Sequence, residues 1–147
     1  MRLSLTPSAD PADYSFVHRI RPRFAETDAM GIIHHSAYVP YLEEARASLL
    51  RHAGFPYDEV RSSGIDFAVL ELFVRYRLPL YFDDAVDIYV AAGQLTRTTF
   101  QVGYLLLVAD QTRATAVTVH AAVDPDGRPV RMPAWLAAVM EGDQSGG

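Results

Sequence analysis

No cysteine occurs among the 147 residues, which excludes a disulfide framework, a thiol nucleophile and a thiolate zinc site. Lysine is absent as well, so all thirteen basic residues are arginines. Arginine holds phosphate in a bidentate fork that lysine lacks, which keeps a small anionic ligand open; a GC-rich genome produces the same all-arginine inventory. No apolar run reaches the roughly 18 residues of a membrane helix. The N-terminus lacks a basic patch followed by an apolar stretch, the pattern of a secretion signal. These absences predict a soluble, cytoplasmic protein with no stable membrane insertion. A net charge of −5 argues against a general nucleic-acid binder, which displays a basic face. Internal repeats and linkers are missing too.

Half of the residues are hydrophobic, and a chain of this length buries roughly 68–70% of its unfolded surface in one domain. That domain is expected over 14–141, between flexible tails at 1–13 and 142–147. Tyr14 to Phe24 reads as a strand, with Phe16, His18, Ile20 and Pro22 on one face and Val17, Arg19, Arg21 and Arg23 on the other. Tyr38, Tyr41, Leu42, Ala45, Leu49 and Leu50 recur at helical spacing. They predict a helix from about His35 to Ala53, closed by Gly54 at its C′ position. A short helix from Pro56 to Ser63 is stopped by Gly64.

Phe67 to Leu78, Ala85 to Gln94, Thr98 to Ala109 and Thr112 to Asp124 then read as strands, rich in Val, Thr, Tyr and Phe. Pro79 ends the first of them. Asp110-Gln111 is the expected hairpin turn, and Asp124 to Gly127 a second turn. Pro133 to Glu141 fits a closing helix with Pro133 near its first position. Strand, long helix and four consecutive strands make an α+β arrangement, an antiparallel sheet with the helix on one face. Leu105 to Val108 and Ala114 to Val119 lack clean alternation. That predicts cover on both faces, by the helix on one side and by a partner subunit on the other.

The densest chemistry lies in Arg23-Phe24-Ala25-Glu26-Thr27-Asp28-Ala29-Met30-Gly31-Ile32-Ile33-His34-His35-Ser36-Ala37-Tyr38. An acid, a glycine turn and two histidines sit between a strand and a helix. A helix start presents unpaired N–H groups and a partial positive charge, so an acid beside it can attack a carbonyl that those donors polarise. The other fate of such an aspartate is an Asx-turn or a helix cap. Adjacent histidines point apart on a helix and do not form a metal site, and HExxH spacing is missing; no metal is expected.

The segment Glu26 to Tyr38, followed by Tyr41-Leu42-Glu43-Glu44-Ala45-Arg46, resembles the signature of hotdog-fold acyl-CoA thioesterases, in the 4-hydroxybenzoyl-CoA thioesterase and YbgC-like branch. The resemblance runs from about Phe16 to Met140. It takes in Phe82-Asp83-Asp84, Arg97-Thr98-Thr99-Phe100 and Gly127-Arg128-Pro129-Val130-Arg131-Met132-Pro133. It implies a hotdog fold, an antiparallel sheet wrapped around one long central helix, and hydrolysis of acyl-CoA to a free acid and CoA without a cofactor. Asp28 matches the catalytic aspartate, acting as nucleophile or as general base on water. The backbone N–H of His35 matches the oxyanion donor, and the His35 side chain a histidine lying near the acid.

Gly31 would let a thioester approach the backbone, and Tyr38 packs the helix while reaching toward the acyl pocket. Met30 and Phe67 are bulkier than some relatives' residues and point to a restricted pocket. A different branch places its carboxylate on the helix, which is the alternative role for Glu43 or Glu44. Arg97, Arg128 and Arg131 are candidates for the CoA phosphates; Thr98 stands where a relative carries lysine. The family further implies a dimer whose sheets join edge to edge, with shared active sites, often paired into a homotetramer. Two other readings stay open: a hotdog hydratase or dehydratase acting on acyl thioesters, and a non-catalytic acyl-thioester binding protein.

Overall fold

The β-branched and aromatic run in the second half of the chain folds as four consecutive strands, joined from the far side by the first. The computed structural model describes residues 4–145, with side chains as far as 139. Strands β1 (Phe16–Ile20), β2 (Asp66–Tyr76), β3 (Val86–Gly93), β4 (Thr99–Val108) and β5 (Gln111–Val123) form one sheet in the order β1-β3-β4-β5-β2. Every neighbouring pair is antiparallel. Helix α1 (Tyr38–His52), prolonged at its start by a 3-10 turn over His35–Ala37, crosses one face. Helices α2 (Tyr57–Ser62) and α3 (Ala134–Ser145) close one end, where Trp135 stacks on Phe55 with ring centroids 4.2 Å apart.

The core lies between α1 and the sheet. Tyr38, Tyr41, Leu42, Ala45 and Leu50 face inward from the helix, against Ile88, Val90, Val102, Tyr104, Leu106 and Ala116. Leu42 is 1% exposed, so truncating it to alanine costs about 2–5 kcal/mol. The helix residues are those that the periodicity singled out, with Leu49 only partly buried.

Several boundaries differ from the sequence expectation. The first strand ends at Ile20 rather than near Phe24. Pro22 has no N–H to give to a ladder, and the chain winds into a 3-10 turn over Phe24–Glu26. The β4–β5 hairpin turns at Ala109 and Asp110, with φ of 49° and 64°, one residue earlier than Asp110-Gln111. Two successive positive φ values match the twist of a two-residue hairpin. The closing helix continues to Ser145 instead of ending at Glu141; Gly146 and Gly147 of the expected tail lie outside the described residues.

The tail expected at 1–13 also differs, over its described part from Ser4 onward. Ser4 and Leu5 donate their N–H groups to the Gln101 side chain at 3.0 and 2.9 Å. Leu5 comes within 3.4 Å of the Cβ position of Gly93, as Gly103 also meets it, on the face away from α1. Part of that outer face, at Gly93, Gln101 and Gly103, is thus covered by the chain's own beginning. In contrast, β2 is an uncovered sheet edge, with Val69, Leu70, Leu72, Phe73 and Tyr76 all at least 39% exposed.

Candidate active site

Residues 27–33 fold back on themselves between the first strand and α1. Thr27 pairs with Ile33, and Ile32 with Tyr81 of the β2–β3 connection. The Ile33 N–H donates to the Leu80 carbonyl at 2.8 Å, and the His34 N–H to the Glu26 carbonyl at 2.8 Å. β2 ends at Tyr76, ahead of Pro79, and Leu80 just beyond that proline anchors the acidic turn. Gly31 has φ +83°, a conformation that a β-carbon strains, and its N–H donates to the Asp28 carbonyl at 3.1 Å.

Asp28 adopts the Asx-turn in part. Its Oδ1 accepts from the N–H groups of Met30 at 2.8 Å and Ile32 at 3.3 Å. Its Oδ2 has no protein partner among the described residues. The turn therefore fixes the carboxylate through one oxygen and leaves the other open.

Next along the chain, the His34 ring caps the coming helix by accepting the Ser36 N–H at Nδ1, 3.1 Å away. The His35 N–H, at the first helical position, meets no protein acceptor among the described residues. It stands at the positive end of the helix macrodipole. The His35 ring stacks on His34, 4.2 Å between centroids, and makes no hydrogen bond to Asp28. The Tyr76 hydroxyl donates to the His35 carbonyl at 3.1 Å. Tyr76 also meets Tyr38 edge to face at 4.8 Å. Burial pushes both phenols up, so Tyr76 keeps the proton that it donates.

Asp28, Ile32, Ile33, His35, Tyr38, Tyr76, Arg77, Leu78 and Pro79 line a cavity of about 320 Å³. Of the predicted site residues, Asp28, His35 and Tyr38 come together here, with Gly31 in the adjoining turn. Met30 points away and is 82% exposed. Tyr76 and Arg77 were not singled out by the sequence. They reach the acid only because β2 ends beside it, a register that no local pattern announces. Arg77 makes no ion pair among the described residues.

Phe67, Arg97, Thr98, Arg128 and Arg131 lie at the other end of the sheet. The Ala122 N–H donates to the Thr98 carbonyl at 3.2 Å, and the Met132 N–H to the Arg97 carbonyl at 2.7 Å. Those bonds bring the two arginine-bearing loops side by side, and all three arginines are exposed without an ion pair among the described residues. Phe67 and Tyr76 lie nine positions apart on β2, roughly 30 Å for a fully extended strand.

Phe67 is buried edge-on against Phe100, 5.2 Å away. It lines a second cavity of about 350 Å³ with Val39, Leu42, Glu43, Arg46, Leu72 and Thr118. A buried polar relay runs beneath: Arg46 Nη1 donates to the Tyr104 hydroxyl at 3.1 Å, which contacts Thr118 Oγ1 at 2.8 Å, and His120 Nε2 contacts the same oxygen at 2.7 Å. Glu43 thus faces this second cavity, while Glu44 pairs with His18 at 2.7 Å. No His or carboxylate cluster suited to a metal ion occurs among the described residues.

Residues 22–140 match the family model of the thioesterase-like superfamily. The 1,4-dihydroxy-2-naphthoyl-CoA hydrolase of Synechococcus elongatus is 30% identical over 135 residues, 85% of this chain and 96% of that protein. The acyl-CoA thioester hydrolase YbgC of Escherichia coli O157:H7 is 28% identical over 107 residues, 72% of this chain and 80% of its own length. Among solved structures, a hypothetical protein from Aquifex aeolicus superposes with a TM-score of 0.82 at 38% identity, over 86% of this chain and 99% of that one.

Proposed function

We propose that this chain, which belongs to the thioesterase-like superfamily, hydrolyses the thioester bond of an acyl-CoA with Asp28 at the reacting carbon. The observation that carries this reading is the pairing of an open carboxylate oxygen with an open helix-start N–H on one cavity wall. The thioester carbonyl sits at the start of α1, with its oxygen on the His35 N–H. As the tetrahedral centre forms, negative charge grows on that oxygen, where the N–H and the helix dipole are already oriented. Asp28 Oδ2 either attacks the carbonyl carbon or removes a proton from a water that does. Collapse breaks the carbon–sulfur bond and releases the CoA thiolate, a good leaving group that takes up a proton from solvent. In the first route a water then cleaves the acyl-aspartate anhydride, freeing the acid and regenerating Asp28. A single turnover in H₂¹⁸O tests them: label in Asp28 requires an acyl-aspartate cleaved at the aspartyl carbonyl, which the base route never gives. Label in the acid alone fits the base route or cleavage at the acyl carbonyl, which trapping an acyl-enzyme then separates.

The acid lies beside the Tyr76 end of β2 and the candidate phosphate-binding arginines beside its Phe67 end, at opposite ends of the sheet of one protomer. Antiparallel pairing of two β2 edges brings the Tyr76 end of one strand to the Asp66 end of the other. A two-fold dimer therefore places Asp28 of one copy beside Arg97, Thr98, Arg128 and the Phe67 cavity of its mate. An 11-residue apolar edge strand is also a surface that pairing removes from water. We assign acyl-CoA as ligand, this dimer as the working unit and the cytoplasm as its location; among the described residues no helix is long and apolar enough to cross a membrane.

The test is thiol release from a panel of acyl-CoAs, which a hydratase or a binding protein does not give. Mixing an Asp28→Asn chain with one carrying Arg97→Ala, Arg128→Ala and Arg131→Ala tests the shared site. Each mixed dimer regains one intact site, so random mixing restores about a quarter of wild-type activity at low substrate. No gain on mixing would remove the shared-site arrangement.

A further inference from the structure

The connection between β2 and β3, residues 77–85, is the platform on which the acidic turn stands. Its first residues, Arg77, Leu78 and Pro79, form part of the Asp28 cavity wall. Beyond them the Leu80 carbonyl accepts the Ile33 N–H at 2.8 Å, and Tyr81 pairs with Ile32. A connection without a ladder of its own takes its shape from whatever satisfies its backbone polar groups.

Arg113 of β5 does this at several points. Its carbonyl accepts the Arg77 and Leu78 N–H groups at 2.9 and 3.1 Å. Its guanidinium Nη1 donates to the Pro79 carbonyl and stands 3.5 Å from Asp84 Oδ2. Asp84 carries the anchorage onward, since the same Oδ2 accepts the Tyr81 N–H at 2.8 Å. The Tyr81 ring centroid lies 6.0 Å from Arg113 Cζ. The two charged side chains are only 13% and 21% exposed, and neither lines the Asp28 cavity.

Stability alone does not account for a cation in this place. A buried charge is expensive, and Arg113 Nε is buried without a partner among the described residues. Exchanging a buried ion pair for apolar groups of similar volume is often neutral or stabilising. What the pair supplies is a fixed path for the connection from Pro79 to Asp84.

We infer that Arg113, acting with Asp84, is a positioning residue for thioester hydrolysis. It fixes the 77–85 connection and, through Leu80 and Tyr81, the pose of the Asp28 turn relative to the His35 N–H. This rests on the placement of Asp28 at the reacting carbon argued above. Both guanidinium contacts are made by the single atom Nη1, so the group serves as a point donor rather than a fork. A lysine ammonium offers the same, with three donors on one nitrogen, whereas methionine keeps bulk and loses the charge.

The test is thiol release by the full chain carrying Arg113→Met, Arg113→Lys, or Arg113→Met together with Asp84→Asn, each with its denaturant midpoint. The substrate is the acyl-CoA of the panel that the unaltered chain cleaves fastest. A misplacement of about 1 Å costs up to about a hundredfold, so Arg113→Met should lower kcat about ten- to a hundredfold. KM should stay within about twofold, because no substrate contact is removed. A short thioester without the nucleotide should lose the same factor, unlike its response to the phosphate-binding arginines. Arg113→Lys should keep kcat within about fivefold.

Removing one partner of a buried pair is strongly destabilising, so Arg113→Met by itself can fail to fold. The combined variant then decides: it leaves no carboxylate without its cation, and its amide still accepts the Tyr81 N–H. It should unfold at a midpoint close to that of the unaltered chain and still show the low kcat. A folded methionine variant within about threefold of the original kcat would overturn the inference. So would a rise in KM alone, or a lysine variant as slow as the methionine one. An active Asp28→Asn chain would bring down the functional reading and this inference together. An inactive Asp28→Asn beside an unimpaired Arg113→Met would remove the positioning role alone.

Discussion

Replacing Asp28 by asparagine separates the two roles that the turn gives this residue. The side chain keeps its shape, and the amide oxygen can still accept the Met30 and Ile32 N–H groups that Oδ1 now holds at 2.8 and 3.3 Å. The other position changes from an acceptor with no protein partner to an NH₂ donor, which can neither take a proton from water nor attack a carbonyl. Loss of a general base removes about 10²–10⁴ in rate, equivalent to roughly 2.7–5.4 kcal/mol of barrier. On the stability side, two charge-assisted bonds become neutral ones, and a charge near the helix start is lost at about 0.3–1 kcal/mol. The folded state should therefore weaken by under about 1.5 kcal/mol. Asp28→Ala should be equally inactive but less stable than Asp28→Asn, because it also frees both turn donors. The assay is thiol release from acyl-CoA at pH 7, paired with denaturant unfolding of each variant. An Asp28→Asn enzyme within threefold of wild type would refute the catalytic assignment, and equal stability of the Asn and Ala variants would refute the turn.

The remaining predictions read the rest of the molecule. His120 is fully buried, and burial, followed by the nearby Arg46 charge, lowers it from 6.5 to about 3. Between those values only the unfolded chain binds the proton, so stability falls as the pH drops through that window. At pH 5 the loss relative to pH 7 is about 2 kcal/mol; His120→Leu should flatten this slope in denaturant midpoints, and an unchanged slope would refute the origin. Arg97→Ala or Arg128→Ala should raise KM for acyl-CoA several-fold with little change in kcat, an effect that shrinks with salt as screening over about 8–10 Å sets in. A short thioester without the nucleotide should not register either change, and equal losses on both substrates would mean that these arginines serve the fold. Tyr76→Phe removes the bond to the His35 carbonyl and should lower kcat about two- to tenfold by loosening the oxyanion donor's peptide; an unchanged kcat would exclude that support.

The sequence by itself determined the main elements and the place of Asp28 in the strand-to-helix turn. Periodicity at Tyr38, Tyr41, Leu42 and Ala45 named the buried stripe of α1, because a 3.6-residue repeat leaves one side of a helix for the core. Gly31 between Asp28 and His35 marked the strand-to-helix turn, since only a residue free of a β-carbon takes that φ without strain. These are local signals, read from neighbours in the chain. What tertiary structure alone decided depends on contacts between distant residues. The end of β1 at Ile20 is where its pairing to the distant β3 stops, and the turn at Ala109-Asp110 follows from the register of β4 on β5. Tyr76 and Arg77 join the Asp28 cavity through sheet register, and register is set by packing rather than by any local motif. The same register sends Phe67 and the arginines to the opposite end. The first residues, polar and proline-rich, carry no periodicity of their own. Their place over Gly93 and Gly103 exists because those glycines, some ninety positions later in the chain, leave a groove that only the folded sheet assembles.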